Sequence, residues 1–414
     1  MLKIKQIHSV LLYFIIPALA TGPFLSDLIV SITGLLFIII TFLEKNFKYY
    51  KSKFFIFFIL FNFYLIINSL LSNNSLLSFE STLFYFRFTF FVLSIWYALE
   101  NNSKFINIFS RVFIFTFFLV LVDAYIQYFF DYNILGYEYN SNRLSGIFGD
   151  EMVLGSYISR LLPLLFALMI ATNFKASLYL GILLLVMSDV VIYLSGERVA
   201  FFNLLLSTFI IIMLVGRWKA VRSVAVLFSL IFIALISVTN QSVTDRMIFD
   251  TLNQLNQKTA TQEAQNYKFR FFSIEHENGY FISLRMFKDN KLFGIGPKNF
   301  REECKREKYF IDYGCHTHPH NFYLQLLSET GIIGFIPFFF IFFFLSYKMV
   351  EHFLKKLFMK KIILNDYQVC IFACLYVTLF PIVPSGNIFN NWLSIIYYLP
   401  IGFLYYNFKN YDNH

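Results

Sequence analysis

The chain has 414 residues, 58% of them apolar and 14% charged, with 34 Lys and Arg against 25 Asp and Glu for a net charge of +9. A soluble domain averages about half apolar and a quarter charged, so this composition excludes an ordinary soluble enzyme and fits a membrane protein with basic inner loops. The basic excess therefore does not imply nucleic acid, and no nucleic-acid partner is expected.

Hydrophobic runs occupy about 7–22, 25–43, 54–71, 82–99, 106–129, 153–172, 177–194, 199–215, 221–238, 331–349, 367–384 and 389–407. Each is near the length a helix needs to cross a bilayer core. The fold class expected is all-α and polytopic, with about 12 transmembrane helices and one large segment between spans 9 and 10. With the N-terminus inside, the inner segments collect Lys3, Lys5, Lys45, Lys48, Lys51, Lys53, Lys104, Lys175, Arg217, Lys219 and Arg222. After the tenth span follow Lys348, Lys355, Lys356, Lys360 and Lys361, with Lys409 in the tail, whereas the short outer loops carry little beyond Arg143 and Arg198. That asymmetry puts both termini in the cytoplasm. The organisation is then 1–238 for helices one to nine, 239–330 for the large outer segment, and 331–414 for the last three helices and an inner tail. Met1–Ala20 also has signal-peptide character, and its cleavage would leave the orientation unchanged.

Cys304 and Cys315 fall together in the outer segment, where the compartment permits a disulfide; free thiols are the alternative. A bridge would close a loop of about a dozen residues, worth roughly 3 kcal/mol. Cys370 and Cys374, four apart in an apolar run, read as small reduced core residues.

Ionisable groups inside spans are costly and mark sites or pairs. Arg87 and Arg160 sit roughly 8–10 Å below the outer boundary at 1.5 Å per residue. Asp123 and Asp189 lie at a similar depth in spans rising from inside, and Asp27 and Arg198 are at outer helix ends. The expectation is a polar cavity open to the outside, with Arg87, Arg160 and Arg198 leaving capacity for an anionic ligand and Asp189 pairing with Arg87 or Arg160. Charges near the midplane, which a transport pathway would need, are not evident.

Within the outer segment, residues 251–266 are rich in Gln, Asn and Thr and read as solvated. From 278 to 289, Tyr280, Phe281, Leu284 and Phe287 recur at helical spacing, suggesting a helix lying on the membrane surface. Gly294-Ile295-Gly296-Pro297 reads as a turn. His316, His318 and His320 alternate, a spacing that places them on one face of an extended strand, but no companion ligand pattern accompanies them, so no metal and no cofactor are expected. His320 is the candidate general base, at a helix mouth beside Asn321. Arg198 and the helix N-terminus favour an anion there. His318, Asn321 and Gln325 are candidate supporting residues, and Glu329 is a rival base or a capping group.

These residues resemble a family. His320-Asn321, followed after nine residues by Gly331-Ile332-Ile333-Gly334, is similar to the signature of the bacterial O-antigen ligases and O-antigen polymerases. The block from Gly294 to Arg301 and from His318 to Glu329 carries the likeness further, as do the expected spans with one large periplasmic segment. The resemblance implies metal-independent transfer of a glycan from an undecaprenyl diphosphate carrier to a sugar hydroxyl at the periplasmic face of the inner membrane. It places the essential histidine at His320 and an essential arginine at Arg198. A further arginine of the long segment falls on Arg270 or Arg285, with Arg301 third; Arg87 and Arg160 are read as additional diphosphate ligands. Where the ligases have Leu four residues after the arginine, this chain has Phe202. A lipid A core acceptor is favoured, making the chain an O-antigen ligase; a polymerase elongating a lipid-linked glycan is the alternative. Protein glycosylation and a non-enzymatic transporter or flippase stand further off.

Overall fold

The computed structural model describes residues 1–140, 142–172, 178–256 and 272–405. Lys175, Arg270 and Lys409 lie outside the described residues. The described chain is helical, with only isolated bridges at Tyr132–Glu138 and Asn140–Arg143.

Helices α1 (Leu2–Tyr13) and α2 (Ile15–Thr21) form one apolar stretch bent by 46°. Gly22-Pro23 then starts α3 (Pro23–Leu43), proline being tolerated at a helix's first position because its missing N–H has no partner there. Ser52 and Asn74 cap α4 (Lys53–Leu71) and α5 (Ser75–Thr82) by accepting from backbone amides. There follow α6 (Phe86–Asn101), α7 (Phe105–Phe130), α8 (Leu154–Ala171), α9 (Leu178–Leu194), α10 (Arg198–Leu214) and α11 (Lys219–Thr239).

Among the described residues, seven helices are long and apolar enough to cross a membrane, and the bent α1–α2 pair makes an eighth. Four shorter apolar helices are α9, α10, α17 (Asp366–Thr378) and α18 (Asn391–Leu404). Every hydrophobic run read from the sequence falls on one of these elements. The differences lie at their ends. The run at 82–99 is preceded by α5, and α17 stops at Thr378 because Pro381 and Pro384 cannot continue it. Helix α8 is the centre of the bundle, with 94% of its apolar window buried, whereas α11 lies at the periphery with 17%.

The outer segment continues through α12 (Gln241–Thr244), a π-helical turn at Asp245–Phe249, and α13 (Asp250–Asn256). The stretch read as solvated from 251 thus begins as helix. Helix α14 (Ile274–Asp289), capped by Ser273, starts four residues earlier than expected and buries Asn278, Gly279, Ile282, Ser283 and Met286. The apolar stripe read from the sequence is on the other side, with Leu284 38% exposed and Tyr280, Phe281 and Phe287 half-buried. Small residues let the packed face approach closely: Asn278 donates to the Asp312 carbonyl at 2.7 Å. Ile282 and Met286 join Ile295, Phe300, Cys304 and Tyr309 in a small core. The Cys304 and Cys315 sulfurs are bonded at 1.95 Å.

After α15 (Phe300–Glu303), α16 (Phe322–Met359) runs through a break at Gly331. Gly331 has φ 63°, and a Cβ there would lie 2.2 Å from the Leu292 carbonyl oxygen, so both backbone and space require glycine. The turn at Gly294–Pro297 caps the carbonyl end of the first part of α16: Ile295 and Gly296 amides donate to Ser328 and Glu329 carbonyls, both at 2.9 Å.

Candidate functional site

Two polar clusters flank the 379–390 connector between α17 and α18. The first is built around His320. Its backbone is left-handed, φ 54°, and its carbonyl accepts from the Ser385 amide at 2.9 Å. Asn321 is the N-cap of α16, accepting from the Tyr323 and Leu324 amides at 3.0 Å each and donating to the Pro381 carbonyl at 2.8 Å. Four imidazoles gather here: His318, His276 and His316 lie 4.2, 4.8 and 5.3 Å from His320, ring centre to ring centre. Burial first, with the neighbouring imidazoles adding to it, lowers the His320 pKa to about 3 and that of His318 to about 4. His320 keeps partial exposure, so its imidazole is neutral and accessible at neutral pH. Among the described residues, no three His, Cys, Asp or Glu groups are arranged to hold a metal ion.

Beneath His320 runs a buried amide and carboxylate ladder. Gln325, fully buried, donates to Asn387 at 2.7 Å and to Glu329 at 2.9 Å, and accepts from the Ile388 amide at 3.1 Å. Glu329 accepts from the Phe300 amide at 3.2 Å, a capping role that occupies the rival base. Arg301 is the long-segment arginine that the structure brings to this cluster, where its charge disfavours protonation of His318. Arg285 is half-buried on α14.

The second cluster is the outer end of α10. Arg198 donates through Nε to the Arg246 carbonyl at 3.1 Å and through Nη1 to Gln254 at 2.6 Å, with Asp250 3.7 Å away. Arg246 in turn donates to the Gly196 carbonyl at 2.9 Å. Gly196 is in the left-handed region, φ 65°, and a Cβ there would meet the Asn142 carbonyl at 2.5 Å. Arg143 donates to the Met152 carbonyl at 3.0 Å, while its Nε has no partner among the described residues. Burial lowers the Arg143 pKa and Arg246 adds to the effect, opposed by Glu197. Glu197, whose pKa burial raises, accepts from the Gly155 and Ser156 amides and the Ser156 hydroxyl. Three guanidinium groups, Arg143, Arg198 and Arg246, therefore crowd one place against two carboxylates, Asp250 and Glu197, a net positive arrangement that could accept an anion.

The connector touches α10 as well as the His320 cluster. Phe380 packs on Phe202, one turn below Arg198, with ring centres 5.6 Å apart, and the next residues hold Asn321 and His320. Arg143, Arg246 and Glu197 were not singled out as site residues from the sequence, because their convergence is between loops distant along the chain. The signal available was the adjacent Glu197-Arg198 pair, opposite charges at a helix start.

The remaining cations separate. Arg87 pairs with Asp27, Nε to Oδ1 at 2.9 Å, in another cleft. Arg160 is 3% exposed, with Nε and Nη1 unpartnered among the described residues and its guanidinium 5.5 Å from the Tyr397 ring centre. Asp189 takes neither Arg87 nor Arg160. It forms a two-point pair with Arg222 at 2.8 and 3.0 Å and accepts from Ser229 at 2.8 Å. Arg222, counted from the sequence among the inner loop charges, is 2% exposed within α11. The sequence places a paired Asp189 inside a span; its partner is Arg222 of α11, not Arg87 or Arg160. Asp123 holds the 131–153 loop, accepting from the Ile134 amide at 3.0 Å and from Asn133 at 3.2 Å.

The fold and site define a helical membrane protein with an imidazole cluster and an arginine cluster at one end of its helices. Residues 180–339 match the model of the O-antigen ligase family. The likeness to the O-antigen ligase and polymerase superfamily holds over this stretch, which includes Arg198 and His320. No curated protein matches the chain.

Proposed function

We propose that the chain is a glycosyltransferase of the bacterial inner membrane, crossing it twelve times with both termini in the cytoplasm and residues 239–330 in the periplasm. It transfers a glycan from undecaprenyl diphosphate to a sugar hydroxyl of lipid A core. The observation that carries this reading is a neutral, partly open His320 imidazole inside the family-matched stretch, one connector away from three clustered guanidinium groups.

His320 takes the proton of the acceptor hydroxyl as its oxygen bonds to the anomeric carbon. The bond from that carbon to the carrier phosphate breaks, its electron pair stays on the diphosphate, and the anomeric centre inverts. Arg198, Arg246 and Arg143 hold the departing diphosphate by charge-assisted hydrogen bonds. The arriving anion also raises the His320 pKa towards a useful range for a base. An apolar cavity of about 210 Å³, lined by Phe322, Phe338, Leu379, Ile388 and Tyr398, lies among α4, α16, α17 and α18 and suits the prenyl chain.

Phe202, where the ligases carry Leu, favours a second reading as polymerase. One experiment tests both: the purified chain is reconstituted with a carrier-linked glycan, lipid A core and a second carrier-linked glycan. Elongation of lipid A core supports the ligase, elongation of the second carrier glycan supports the polymerase, and elongation of neither refutes the transferase.

A further inference from the structure

We propose that the cleft around Arg87 is a binding site for a zwitterionic phospholipid with a primary ammonium head, separate from the transfer site. The cleft measures about 430 Å³ and lies between α3, the α5–α6 corner and the start of α18. Its polar floor is level: Asp27 is the fifth residue of α3, Arg87 the second of α6 and Asn391 the first of α18. Asn391 donates to Asp27 at 3.4 Å, which ties the floor to the same end of the bundle as the 379–390 connector. The wall is apolar, formed by Leu35, Ile38, Phe86 and Phe90, and its rim residue Phe84 is 60% exposed. A charged floor at a helix end with a greasy wall running down from it is the shape of an amphiphile.

Charge selects the head. The cleft holds one guanidinium, Arg87, and two carboxylates, Asp27 and Glu80; Lys298 reaches Glu80 from the rim at 3.4 Å. A diphosphate would meet both carboxylates and is disfavoured. A phosphodiester with an attached ammonium matches: the phosphate takes donors of Arg87 beyond Nε and Nη1, which Asp27 and the Phe84 carbonyl occupy, and the ammonium faces the carboxylates. A quaternary ammonium head cannot donate to those carboxylates, and a glycerol head leaves them unmatched.

The test is native mass spectrometry of the full chain in detergent, titrated separately with phosphatidylethanolamine, phosphatidylcholine and phosphatidylglycerol bearing the same acyl chains. The expected result is that phosphatidylethanolamine binds about tenfold more tightly than either of the others. That preference disappears in Arg87→Ala and also in Ser31→Trp, which fills the cleft from an exposed position. Equal binding of the three lipids to the unaltered chain, or a preference retained in either folded variant, overturns the proposal.

Discussion

On the α16 side of the connector, His320 is fixed through its backbone: a left-handed residue, an N-cap on the next position, a hydrogen bond from the Ser385 amide to its carbonyl and a disulfide-closed loop just before it. On the α10 side, Arg198 and Arg246 are held through side chains that rest on backbone carbonyls and on Gln254. On the proposed reading, the first arrangement fixes where a proton would be received. The second leaves cationic groups able to re-aim when an anion arrives, because a carbonyl is a weaker partner for a guanidinium than a phosphate is. The difference suggests that base placement is preorganised and anion capture is adaptive.

The sharpest way to break that contrast is His320→Ala. Loss of a positioned general base lowers transfer by about a thousandfold, read as labelled glycan moved to acceptor, while thermal unfolding and carrier binding stay near those of the unaltered chain. Transfer within a few-fold of normal would remove the imidazole from the reaction.

A second variant asks whether the paired arginine inside the bundle is structural, as opposed to the arginines of the site. Arg222→Ala leaves Asp189 buried without its cation and costs about 3–5 kcal/mol of stability, measured by unfolding in detergent. The joint replacement Arg222→Met with Asp189→Leu recovers most of that loss. If the joint replacement instead abolishes transfer in a stable protein, the pair belongs to the function.

The helices were legible in the sequence because twenty-residue apolar runs have few alternative structures. His320, Asn321 and Gln325 were legible because they lie in one short motif. Arg222 was misplaced for a physical reason: counting charges at helix ends treats any basic residue near an inner boundary as loop, and a long arginine side chain can instead turn into the bundle. The buried face of α14 was missed because Asn278, Gly279 and Ser283 pack closely by being small, and apolar periodicity does not register small polar residues. Arg143 and Arg246 were missed because three loops had to fold before they met.

Arg198→Ala probes the adaptive side and should cost less than loss of the base. With Arg246 and Arg143 remaining, carrier binding weakens about tenfold, and its dependence on salt becomes shallower, read by titrating carrier at several ionic strengths. Arg198→Lys keeps the charge but loses the forked donors and should fall between the two. An unchanged affinity would place the diphosphate elsewhere, with Arg160, whose Nε and Nη1 have no hydrogen-bond partner among the described residues, the next candidate.

The smallest effect concerns pH. Burial holds His320 at about 3 and His318 at about 4, below the ordinary value of 6.5, so the folded chain resists protonation that the unfolded chain accepts. The sign follows: this contribution to stability is fully present above pH 6.5 and is lost as the pH falls towards the folded values. Unfolding temperature should therefore decline from pH 7 to pH 4, and less steeply in His318→Gln. Through that window the His320 imidazole stays neutral, visible as an unmoved ring proton resonance, and adding carrier diphosphate shifts its titration upward. An imidazole that titrates near 6.5 without carrier would mean that the four-histidine cluster is open to water, and the fixed side of the comparison would lose its rigidity.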